Sequence, residues 1–158
     1  MLSNKKSIPI IITLLIICLV LILCLFVKCE QSQTNLTPDD SAVHWDGEQE
    51  LSRPIVNDKP AIAIPGIKEI VFSTGTKTQQ VNFYNPEEND CYFKMGLYAD
   101  DELLWESGNV APGDGYYTIE LNKSLPAGER VGLLHIRCFK QDGTELNSAQ
   151  VKFNLIVQ

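Results

Sequence analysis

From Ile62 onward the sequence is built of short runs in which apolar and polar residues alternate, separated by turns rich in Gly, Pro and Asp. Seven runs can be read: IKEIVFS, TQQVNFY, CYFKMGLY, ELLWES, YYTIELN, RVGLLHIRCF and AQVKFNLIV. A period of two is typical of strands that are buried on one face. The pattern therefore predicts an all-β domain over residues 62–158, an immunoglobulin-like antiparallel β-sandwich of about seven strands.

The alternation also predicts which side chains form the core, because successive side chains of a strand point to opposite faces of the sheet. The expected core residues are Cys91, Phe93, Met95 and Leu97, then Tyr117, Ile119 and Leu121, then Leu134, Ile136 and Cys138, and finally Val151, Phe153, Leu155 and Val157.

The opposite face of the third and sixth runs carries Tyr92, Lys94, Tyr98, His135, Arg137 and Phe139. Aromatic residues beside Arg dominate the energetics of many interfaces, so this face is a candidate binding surface. Two alternatives stay open. The second face of a sheet often carries such residues without any partner, and the loops at the membrane-distal end are an equal candidate.

An apolar run precedes the domain, "IPIIITLLIICLVLILCLFV", twenty residues without a charge. At about 1.5 Å per residue a helix of this length spans the hydrocarbon core of a bilayer. We predict a transmembrane anchor over residues 8–28 and a cytoplasmic stub over residues 1–7, since Lys5 and Lys6 favour a cytoplasmic N-terminus. The domain would then be extracellular, on a single-pass protein of the plasma membrane. A cleaved signal peptide and a lipoprotein signal are the alternatives.

Residues 29–61 are rich in Gln, Ser, Asp, Glu and Pro and show no sustained period. Such a composition buries too little apolar surface to order itself, so we predict a flexible stalk. Trp45 stands out in it, as a side chain that would dock on the domain or lie at the membrane interface. The formal net charge of −7 and the basic anchor leave the exterior acidic, which disfavours nucleic acid and anionic lipid as partners.

The chain has five cysteines. Cys18 and Cys24 lie in the apolar run, where a thiol behaves as a small hydrophobe, and Cys29 at its end would be lipidated or pair with a second copy. Cys91 and Cys138 are predicted on the core faces of neighbouring strands. In an oxidising exterior they would form a disulfide that closes a loop of about 47 residues and contributes about 2–4 kcal/mol. The alternative is two buried reduced thiols.

Metal binding and catalysis find little support in the sequence. The acidic turns NPEEND and YADDE lack the ligand spacing of a calcium loop, and His44 and His135 have no partner at zinc-ligand spacing. Cys138 and His135 would point to opposite faces of one strand, and the chain has neither a GxSxG elbow nor a Gly-rich phosphate loop. We therefore predict no catalytic residue, no metal and no cofactor.

The motifs IPG at 64–66, FYNP at 83–86 beside Cys91, PG at 112–113, LPAGE at 125–129 and DG…LN.A at 142–149 follow one another along the domain. In this order they resemble small membrane-anchored or secreted β-sandwich proteins of Gram-positive, Firmicutes-type bacteria. The resemblance covers about residues 62–158 and implies a cell-surface β-sandwich. Its motifs are turn and core residues, so it transfers no catalytic residue.

These features predict a membrane-anchored extracellular module for interaction or adhesion, without catalytic activity. The expected partner is a protein, or alternatively a carbohydrate, at the cell surface. Two other functions remain open: an accessory structural subunit of a cell-envelope or conjugation-type complex, held mainly by its span, and a carbohydrate-binding domain.

Overall fold

The structure, a computed structural model, describes residues 16–19, 35–47 and 61–158, together with the backbone of 55–56 and 59–60. Ten strands lie in this described part. They are β1 (Val43–His44), β2 (Ile55–Val56), β3 (Lys59–Pro60), β4 (Glu69–Phe72), β5 (Thr78–Tyr84), β6 (Tyr92–Ala99), β7 (Glu102–Glu106), β8 (Asp114–Glu120), β9 (Gly128–Phe139) and β10 (Glu145–Val157).

The strands form two main sheets and a small hairpin. One sheet has three strands in the order β1-β8-β5, the other has five in the order β4-β10-β9-β6-β7, and β2 pairs with β3. Inward side chains of both main sheets belong to one hydrophobic cluster, which includes Phe83, Phe93, Met95, Ile136 and Leu155. The predicted all-β sandwich is therefore confirmed.

Among the ten described strands, one pair is parallel and the others are antiparallel. Strands β4 and β10 pair in parallel, with Ile70 opposite Leu155 and Phe72 opposite Val157. A parallel pair needs a long connection between its strands, and here almost the whole domain lies between them. The predicted purely antiparallel arrangement is wrong at this edge.

The predicted core faces are confirmed on β6 and β9, where each predicted core residue is at most 2% exposed. The prediction is wrong for Tyr117 of β8, whose side chain is 37% exposed, while the neighbouring Tyr116 is buried. The pairing of β5 with β8 is irregular between Gln80 and Phe83, where two residues of β5 lie opposite one of β8. This bulge shifts the alternation of β8, so Tyr117 and Thr118 both face outward.

Part of the predicted stalk packs on the sandwich. We call residues 35–47 the strap. Its backbone amides donate hydrogen bonds to two loops, from Leu36 N to Gln141 O (2.8 Å) in the β9–β10 loop, and from Asp39 N to Asn109 O (2.8 Å) and Trp45 N to Gly113 O (2.8 Å) in the β7–β8 loop. Strand β1 within the strap also extends the three-stranded sheet by pairing with β8. In the rest of the predicted stalk, the structure describes only the backbone of β2 and β3 and the residue Ala61. The other residues of the predicted stalk are outside the described part.

Two side chains fix the strap. The indole of Trp45 lies between two tyrosine rings, with centroids 4.7 Å from Tyr84 and 4.4 Å from Tyr117. The Asp39 carboxylate accepts hydrogen bonds from the amide of Gly108 (2.7 Å) and the hydroxyl of Tyr116 (2.5 Å). Stacked rings and a charge-assisted hydrogen bond explain why this polar segment is ordered.

The N-terminal unit is described only at residues 16–19, which form a short piece of helix. Across the residues that the structure covers, no helix has the length and apolar character needed to cross a membrane. Most of the predicted anchor, residues 8–28, is outside the described residues, so the anchor stays a prediction.

Candidate interaction surface

The six residues of the predicted binding face do come together on the outer side of the five-stranded sheet. Tyr92 lies opposite Phe139, and Lys94 lies opposite Arg137, across the β6–β9 pair. His135 lies opposite Gly96, and Tyr98 opposite Leu133, in the next two rows. All six side chains are partly exposed. We call these six residues the binding face.

The two cations of the binding face are each paired with a carboxylate. Arg137 donates two hydrogen bonds to Glu145, both at 3.0 Å, and Lys94 Nζ lies 3.4 Å from a carboxylate oxygen of Glu106. The hydrogen bonds between Arg137 and Glu145 raise the pKa of Arg137 and lower the pKa of Glu145. The face therefore carries two neighbouring cations, each paired with a carboxylate, and not an unpaired basic patch.

Aromatic packing orders the rest of the binding face. The guanidinium carbon of Arg137 lies 5.0 Å from the centroid of the Phe139 ring, a cation–π contact. The Tyr98 ring lies over Gly96, because a Cβ built there would be 3.0 Å from the ring atom Cε2. Rings held in this way lose little conformational entropy when a partner covers them.

An apolar margin borders the binding face near the β6–β7 turn. Val131 is 61% exposed and Leu103 is 38% exposed. The turn itself places Asp100 and Asp101 at positive φ, 50° and 66°, as a tight hairpin turn requires. Apolar side chains beside a rim of fixed charges are the usual composition of a protein–protein contact.

The two predicted disulfide partners also meet. Cys91 and Cys138 are 0% and 1% exposed, both are free thiols in the structure, and they interact through a side-chain hydrogen bond. That bond lowers the pKa of Cys91 and, together with burial, raises the pKa of Cys138. The two thiols are buried and interact with each other, and the disulfide between them stays a prediction.

The acidic turn NPEEND forms a buried amide network that the sequence did not reveal. Asn85 is 0% exposed and donates to the carbonyls of Cys91 (2.8 Å) and Val110 (3.0 Å). Asn89 donates to Asn85 Oδ1 (2.9 Å) and to the carbonyl of Ala63 (3.0 Å), and its Oδ1 accepts from the Ala63 amide (2.8 Å). The network joins the turn to the segment before β4. Polar side chains in a predicted turn gave no signal of their burial.

The histidines do not form a site together. His135 belongs to the binding face and His44 lies on β1 of the other sheet. Within the described ranges, no three His, Cys, Asp or Glu side chains are grouped so that they could hold a metal ion.

Comparison with known proteins adds no assignment. No protein-family model matches the chain, and no curated protein matches it significantly.

Proposed function

We propose that this protein is a non-catalytic interaction module whose binding face contacts a protein partner outside the cell. One observation carries the proposal: six residues from two strands form one continuous, partly exposed surface in cross-strand register. Tyr and Arg are among the residues that contribute most to protein interfaces. Two of the three aromatic rings and both cations are already held by neighbours, which lowers the entropic cost of association.

The proposal includes an immunoglobulin-like topology and a membrane anchor. The sheet order β4-β10-β9-β6-β7, with β5 and β8 in the opposite sheet, supports the topology. The uncharged apolar run of residues 8–27 supports the anchor. A module tethered in this way would display the binding face to partners at the cell surface.

The test is capture of a partner from intact cells by the full-length protein and by two variants. The first variant combines Tyr98→Ala with Arg137→Ala, and the control variant is Glu120→Gln, an exposed change on the other sheet. We expect the double variant to lose at least tenfold in capture, since hot-spot truncations cost about 2 kcal/mol or more each. Equal capture by all three proteins would contradict the proposal.

The alternative function, an accessory structural subunit held by its span, predicts a different result. Capture would then survive the double variant and disappear when residues 8–28 are replaced by an unrelated transmembrane sequence. The apolar run is composed almost entirely of Leu, Ile and Val with few small or polar residues, which favours a plain anchor over a helix-packing surface.

A further inference from the structure

A groove of about 840 Å³ runs along one side of the sandwich, between the three-stranded sheet and the segment that leads into β4. Residues 80–84 of β5 line one wall and residues 65–71 line the other, and Trp45, Tyr117 and Thr118 complete it. Small-molecule sites commonly have volumes of about 300–1,000 Å³. The groove lies between β5 of the three-stranded sheet and β4 at the edge of the five-stranded sheet, and none of the six residues of the binding face lines it.

Three polar side chains line the groove without a protein partner. Gln80 and Thr118 lie opposite each other across β5 and β8, and Asn82 is two residues further along β5. All three are exposed, and no side-chain hydrogen bond to the described part of the protein is formed by any of them. By contrast, the buried Gln79 forms three such bonds. Amide side chains both donate and accept, as the hydroxyl groups of a saccharide do.

The wall of the groove also contains an unpaired buried donor. Trp45 is 6% exposed, and its indole Nε1–H has no hydrogen-bond partner. A buried donor without an acceptor costs about 1–3 kcal/mol. This edge of the indole lies against Gly47, where a built Cβ would be 3.0 Å from Nε1, so Trp45 contributes its ring and not a hydrogen bond to the groove.

Tyr117 offers a fixed aromatic surface in the same groove. Trp45 covers one face of its ring, and the phenol hydroxyl bonds to the Asp46 carboxylate, which raises the pKa of Tyr117. The side chain nevertheless remains 37% exposed. Its open face suits the apolar C–H surface of a sugar ring, and the ring needs no reordering before it binds.

The charges in the groove indicate a neutral ligand. Lys68 and Glu69 are adjacent, of opposite sign and both exposed, so the groove has no net charge that would select an anion or a cation. From the amides and the hydroxyl without side-chain partners in the described part of the protein, the open Tyr117 ring and the balanced charges, the geometry points to a binding site for a neutral saccharide in this groove.

An extended peptide added to the edge of β5 is the competing occupant. Strand β5 is the last strand of its sheet, and such edges can accept a further strand. The bulge between Gln80 and Phe83 breaks the regular backbone spacing that an added strand needs, a common protection of edge strands. The groove therefore favours a saccharide.

The two tryptophans allow a direct test. Cellohexaose, xylohexaose and chitohexaose are titrated separately into isotope-labelled full-length protein in a zwitterionic detergent, and the indole N–H resonances are followed by NMR. We expect at least one sugar at millimolar concentration to shift the Trp45 resonance saturably. The resonance of Trp105, whose ring packs against Phe83 and Tyr116, should not move.

Variants locate the binding. Gln80→Ala and Asn82→Ala should each lower the affinity for the sugar by roughly threefold to tenfold, as expected for one lost hydrogen bond. The control variant Glu120→Gln should bind the sugar with the same affinity as the unchanged protein. The proposal is overturned if none of the three sugars shifts Trp45, if the shifts map to the binding face instead, or if a strand-forming peptide displaces the sugar by pairing with β5. Partner capture through the binding face is independent of all these outcomes.

Discussion

Lys94 and Arg137 lie directly opposite each other on strands β6 and β9, so two positive charges share one row of the outer sheet face. Like charges in this position destabilise a sheet. Each cation is offset by a carboxylate on the next strand of the sheet, Glu106 on β7 for Lys94 and Glu145 on β10 for Arg137. Across β10, β9, β6 and β7 the charges therefore run negative, positive, positive, negative, and each cation is held by the carboxylate on its far side.

Removal of Arg137 should release Glu145. In the Arg137→Ala variant we expect the pKa of Glu145, which the Arg137 hydrogen bond now lowers, to rise towards its usual range. Because the folded pKa is lowered, the ion pair stabilises the protein above the unfolded pKa of Glu145, and this contribution is lost as the pH falls through the folded value. NMR titration measures the shift. An equal rise in the Lys94→Ala control would contradict this pairing.

Asp39 should make the strap sensitive to acid. Burial raises its pKa, but hydrogen bonds from Ser41, Tyr116 and Gly108 outweigh this and hold it at about 2, below the ordinary 3.8. The stabilisation is therefore complete above about pH 4 and is lost as the pH falls from 3.8 towards 2. We expect Asp39→Asn to reduce this acid dependence and to lower stability by roughly 1–3 kcal/mol at neutral pH. Denaturation in urea from pH 2 to 7 measures both effects, and an Asp39 variant that behaves like Asp40→Asn, an exposed neighbour, would refute the role.

The amide network around Asn85 should be a main source of stability. Asn85→Ala leaves the carbonyls of Cys91 and Val110 without their side-chain donor in a fully buried site. Unsatisfied buried groups are costly, so we expect a loss of about 2–4 kcal/mol in the free energy of unfolding. Asn154→Ala, at an exposed position of β10, is the matched control. If urea unfolding shows that Asn85→Ala lowers the free energy of unfolding as little as Asn154→Ala does, the network contributes little to stability.

The cysteine pair tests the predicted compartment. If the domain is exposed to an oxidising environment, mass spectrometry of the non-reduced protein should show the Cys91 and Cys138 peptides linked. Reduction should then lower stability by about 2–4 kcal/mol. Free thiols in protein isolated under air would disprove the disulfide and leave two buried reduced thiols.

Sequence periodicity predicted the binding face because strands β6 and β9 alternate without interruption. Phe93 and Ile136 are buried, and Lys94 and Arg137 face outward as the pattern requires. The same rule was wrong at Tyr117, since the bulge between β5 and β8 shifts the alternation by one residue. A bulge depends on the pairing of two strands, and one strand's own sequence does not reveal it.

The strap could not be predicted for a different reason. Its order depends on contacts with residues far away in the chain: Asp39 binds Tyr116, 77 positions on, and the Trp45 indole stacks on Tyr84 and Tyr117. The composition of the strap itself indicates only a polar segment and gives no sign of these distant contacts. The groove depends on the same contacts, so the wall formed by Trp45 and Tyr117 was not visible in the sequence.

Photo-crosslinking on intact cells tests the central claim, that the binding face contacts a protein partner, most directly. A photoreactive amino acid replaces Tyr98 on the binding face in one protein and Thr78, exposed on β5 of the other sheet, in a second. We predict a specific protein adduct from position 98 that is lost when Arg137→Ala is added, and no such adduct from position 78. Equal adducts from both positions, or none from position 98, would contradict the account.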